Sequence, residues 1–101
     1  MYKHVVFWKI KDPANGNLKS EIIEEVKRQL DILPAFIPEI KSFESALNIG
    51  NYGASFYDVC LIATFENKDT FWNYTKYPEH DAVVAFIQSV QEAEQIVDFE
   101  F

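Results

Sequence analysis

Three side chains carry most of the chemical capability of this sequence: His4, Tyr74 and His80. They are the two histidines of the chain and a tyrosine six residues before the second of them. An imidazole titrates near neutrality, so it serves as acid or base without help. A phenol hydroxyl orients a carbonyl, stabilises an enolate oxygen or donates a proton. Together such groups polarise a carbonyl and take an adjacent proton with neither metal nor organic cofactor. Two histidines without a tight acidic cluster do not make a metal site, a single cysteine, Cys60, excludes sites built on cysteine pairs, and no glycine-rich phosphate loop is present. No cofactor is expected.

The elements that must position these groups can be read from hydrophobic period. Tyr2 to Ile10 alternates as a strand, with His4, Val6, Trp8 and Ile10 on one face and Val5 and Phe7 on the other. Residues 12–17 form a loop in which Asn17 is placed to cap a helix. Leu18 to Leu33 carries Ile23, Val26, Leu30 and Leu33 at helical spacing, and Pro34 is expected to end it. Lys41 to Asn48 and Phe56 to Glu66 read as strands on either side of a glycine-bearing turn. Asn67 caps a helix starting at Lys68 that bears Phe71, Trp72 and Tyr74. Pro78 breaks the helical pattern or opens the next segment. Asp81 to Gln95 is expected to be helical, with Val83, Phe86, Ile87 and Val90 as its stripe, and Ile96 to Phe101 to be the last strand.

This order predicts an α+β domain: a four-stranded, mostly antiparallel sheet with two helices on one face. At 101 residues the chain fits a single domain, and a domain of this size buries roughly 60–70% of the surface exposed in its unfolded chain. Nine Phe, five Tyr and two Trp are more than one small core needs. Two helices cover one sheet face, yet the first and last strands carry large apolar residues on both. The second face therefore calls for a second copy, giving a homodimeric barrel with the helices outside. A net charge of −7 without a basic cluster argues against nucleic acid and anionic membranes as partners. No signal peptide or membrane span is visible, so a cytoplasmic location is the default expectation.

Four segments together resemble a known family. His4-Val5-Val6-Phe7-Trp8-Lys9-Ile10-Lys11 is similar to its opening strand, and Ile37-Pro38-Glu39-Ile40 followed by Phe43-Glu44 to its middle segment. Tyr57-Asp58-Val59 through Thr64-Phe65-Glu66 is similar to its third strand, and Tyr74 followed by Tyr77-Pro78-Glu79-His80 is the most specific match. On these residues the chain resembles the stress-responsive A/B barrel domain (Dabb) family over residues 1–101. The resemblance implies a ferredoxin-like βαββαβ subunit paired into a dimeric α+β barrel. It also implies a cavity for a small apolar or carbonyl-bearing ligand, with His80, Tyr74 and His4 as catalytic candidates for cofactor-free cyclase- or lyase-like chemistry. Val6, Trp8, Leu30, Val59, Trp72 and Phe86 are the ligand-binding candidates. Leu30 and Val59 stand where a catalytic member of the family carries polar groups, which implies a more apolar pocket here. Two other functions fit the same family: a non-catalytic, oligomeric stress protein, and a monooxygenase of the wider barrel superfamily.

Overall fold

The computed structural model describes residues 1–13, 16 and 18–101. Its elements are β1 (Tyr2–Ile10), α1 (Lys19–Phe36), β2 (Ile40–Leu47), β3 (Val59–Phe65), α2 (Lys68–Tyr74), α3 (Pro78–Val90) and β4 (Gln91–Glu100). The strands form one antiparallel sheet in the order β2-β3-β1-β4. This is a ferredoxin-like arrangement, in which β1 and β3 are central and β2 and β4 are edges.

The alternation in β1 decides which residues form the core. Tyr2, Val6, Trp8 and Ile10 are buried under the helices, together with Val59, Leu61, Ala63 and Phe65 of β3. From above, α1 contributes Val26, Leu30 and Leu33, and α3 contributes Val83 and Ile87, all buried. Burying each such aliphatic side chain contributes about 1.5–3 kcal/mol, which holds the helices to the sheet.

The structure corrects the sequence reading at four places. The described residues form three helices, not two, because the chain between Tyr74 and Pro78 leaves the helix and restarts. Pro78 occupies the first turn of α3, where its missing N–H costs no hydrogen bond. Pro34 lies inside α1, which continues to Phe36. The proline removes its own donor, but Ile37 N–H still reaches the Leu33 carbonyl at 3.1 Å and the fully buried Ile37 anchors that last turn. Residues 91–95 are strand, not helix. Glu, Ala and Gln are good helix formers, but propensity is a weak force beside tertiary pairing, and the free edge of β1 supplies a ladder that overrides it, with Trp8 opposite Glu94 and Phe7 opposite Gln95. β3 starts at Val59 rather than Phe56. The expected cap Asn17 lies outside the described residues.

Two polar devices fix the ends of these elements. Asn67 caps α2 reciprocally: its side chain accepts from Thr70 N–H at 2.9 Å while Thr70 Oγ1 accepts from Asn67 N–H at 3.1 Å. At the other end of the sheet the β1–β4 register shifts between Lys9 and Ile10. Asp58 Oδ2 accepts from the Ile10 N–H at 2.7 Å and lies 3.6 Å from Lys19 Nζ, so this carboxylate, one residue before β3, is structural.

The other sheet face is uncovered. Phe7, Val97, Phe99 and Phe101 are 40%, 58%, 44% and 63% exposed.

Candidate functional site

His4, Tyr74 and His80 line one cavity of about 210 Å³ between the sheet and α2–α3. Val6, Trp8 and Leu30 also line it, with Leu61, Val83, Val84 and Ile87 completing much of the apolar wall. Three of the ligand-binding candidates do not. Val59 shares the buried sheet face but is packed into the core opposite Trp8. Trp72 follows the inward-facing Phe71 by one residue, which turns it about 100° around the helix and leaves it half exposed. Phe86 packs against the core without reaching the cavity.

The break between α2 and α3 brings two of the three polar groups together. Tyr74 is the last residue of α2 and His80 lies in the first turn of α3. Across the short connection their rings meet edge to face, with centroids 4.6 Å apart. Phe71, one turn before Tyr74, stacks on Tyr2 at 4.7 Å and leans on His4 at 4.9 Å. A continuous aromatic contact therefore runs from His4 to His80.

His4 has a partner that sequence reasoning missed. Its Nδ1 lies 2.6 Å from Asp98 Oδ1, and the Tyr2 hydroxyl donates to Asp98 Oδ2 at 2.8 Å. A carboxylate at Nδ1 holds the ring proton there and leaves Nε2 of the neutral ring as an acceptor. Asp98 was visible only as a polar member of the alternating last strand; the antiparallel β1–β4 register, which sets His4 opposite Asp98, is what pairs them. By the same register Glu94 lies opposite Trp8, and its Oε2 accepts from the indole Nε1 at 2.9 Å.

The environment sets the protonation states. Burial lowers the pKa of His80, His4 adds to the shift, and Asp81 opposes it by charge from 3.8 Å. His80 Nδ1 is buried with no hydrogen-bond partner among the described residues. Burial raises the pKa of Tyr74, which is 2% exposed, so its phenol stays protonated. Tyr2 is pushed up to about 12, first by burial and then by the Asp98 carboxylate. At neutral pH the cavity thus holds a neutral imidazole beside a neutral phenol, the pairing that proton abstraction next to a carbonyl requires.

The family model for the stress responsive A/B barrel domain matches residues 2–101. This chain belongs to that family. No curated protein matches it in sequence. Among solved structures, a dimeric protein of unknown function and ferredoxin-like fold from Bacteroides fragilis is 29% identical, with a TM-score of 0.85 over 99% of this chain and 95% of that one. A dimeric ferredoxin-like protein from Thermobifida fusca is 26% identical, with a TM-score of 0.83 over 99% and 90%. Hydroxynitrile lyase from Passiflora edulis shares the fold at 18% identity, with a TM-score of 0.80 over 97% and 90%.

Proposed function

We propose that this Dabb protein binds a small apolar, carbonyl-bearing molecule in the cavity under α2 and α3 and performs cofactor-free acid–base chemistry on it. The observation that carries this reading is the convergence of His4, Tyr74 and His80 on one cavity whose remaining wall is mostly apolar. His80 takes the proton next to the carbonyl, because its neutral form is favoured there. Tyr74 donates a hydrogen bond to the oxygen on which negative charge develops. His4, oriented by Asp98, completes the polar wall. Such proton abstraction serves carbon–carbon bond formation or cleavage, the cyclase- or lyase-like reactions.

The protein acts as a homodimer in this reading. The exposed Phe7, Val97, Phe99 and Phe101 form an apolar face of a kind that monomers seldom leave open, and a second copy covers it symmetrically. The two bacterial relatives above are described as dimeric.

Solvent-deuterium exchange at the methyl group of acetophenone tests the chemistry. Exchange is expected with the native protein and not with His80→Ala, whose circular dichroism should be unchanged. Equal exchange by both proteins would overturn the assignment of His80. Saturable binding without exchange would reduce the function to that of a ligand carrier.

A further inference from the structure

The charges around the cavity are of one sign. Among the described residues no lysine or arginine lines it, and its one formally charged wall residue is Glu94. The buried indole of Trp8 donates to its Oε2 at 2.9 Å, which favours keeping this otherwise solvent-exposed carboxylate at the cavity rim. Four residues along the same strand, Asp98 stands behind His4 and compensates any positive charge that ring would offer. His80 is held toward its neutral form by burial. An anionic ligand group would therefore be stripped of water beside a negative charge and would find no cation to replace the water. The size is equally restrictive: a cavity of about 150 Å³ accommodates benzene, so about 210 Å³ fits a single ring with a short substituent.

Building on the reading of this cavity as a small-ligand site, we propose that it selects an uncharged, ring-sized carbonyl compound and that Glu94 is the residue that rejects carboxylate-bearing analogues. Glu94 is a specificity determinant at the cavity wall and takes no part in the proton transfer. Its position follows from the fold: β4 leaves the end of α3 directly and pairs with β1, which sets Glu94 beside Trp8 at the edge that the helices leave uncovered.

Benzamide, benzoate and benzamidine are nearly the same shape and differ in charge, so they separate the charge effect from size. Binding of each to the full chain is followed near neutral pH through the imidazole nitrogen signals of His4 and His80. Benzamide is expected to bind at least about tenfold more tightly than benzoate, a difference of about 1.4 kcal/mol, and benzamidine no more weakly than benzoate. Glu94→Gln keeps an oxygen acceptor for the Trp8 indole and lies on an exposed strand, so the fold is retained. In that variant the benzoate-to-benzamide affinity ratio should rise severalfold. Equal affinities for benzamide and benzoate in the native protein, or an unchanged ratio in Glu94→Gln, would overturn the role of Glu94 while leaving the ligand site intact. If none of the three probes moved either imidazole signal, the ligand site itself would fall and this inference with it.

Discussion

His4 and Asp98 are 94 residues apart in the chain, yet His4 Nδ1 and Asp98 Oδ1 lie 2.6 Å apart across the β1–β4 ladder. The pair ties the polar wall of the cavity to the edge strand of the sheet. Because Asp98 also accepts from Tyr2, one carboxylate orients two side chains of β1. Asp98→Ala should destabilise the fold by about 1 kcal/mol, since the carboxylate is partly solvated. Urea unfolding measures that loss. The same variant should free the His4 ring, seen as a changed tautomer ratio in its nitrogen shifts.

The buried neutral His80 makes stability depend on pH. Its folded pKa is lowered, so the unfolded chain binds the proton at higher pH than the folded protein does. This contribution is fully present above about pH 6.5, the value for free histidine. It is lost as pH falls from there through the lower folded value. Melting temperatures of the native protein should therefore fall more steeply over that window than those of His80→Ala.

The open sheet face is expected to set the oligomeric state. Phe7→Glu places a charge among Val97, Phe99 and Phe101 of one protomer and its partner, where unpaired burial of a charge is strongly unfavourable. The native protein is expected to scatter light as a dimer at micromolar concentration and the variant as a monomer. A monomeric native protein would reject the barrel dimer.

The capping box at Asn67 is expected to hold the helix that delivers Tyr74. Asn67→Ala should cost about 1 kcal/mol, read by chemical denaturation. It should also raise amide exchange in α2 ahead of α3, whose first turn is preset by Pro78 instead.

Much of this arrangement is legible in the residues. The alternation of His4, Val6, Trp8 and Ile10 identifies the covered face of β1, and Pro78 marks where Tyr74 and His80 turn toward each other. What escaped the sequence depends on pairing. Gln91 to Gln95 are residues of helical preference, and reading them as helix removed Glu94 from the sheet and so from the cavity. Asp98 looked like ordinary surface alternation until the ladder set it opposite His4. Trp72 and Phe86 have the size and polarity of pocket residues, and only the angular position of each on its helix decides that neither reaches the cavity.

The most direct measurement is a proton–nitrogen correlation spectrum of the histidine side chains during titration with acetophenone. The imidazole signals of His4 and His80 are expected to shift together and saturate. In Val84→Trp, which fills the cavity from its wall, they should no longer move. Saturable binding that leaves both imidazoles unmoved, or that survives Val84→Trp undiminished, would contradict a ligand site formed by His4, Tyr74 and His80.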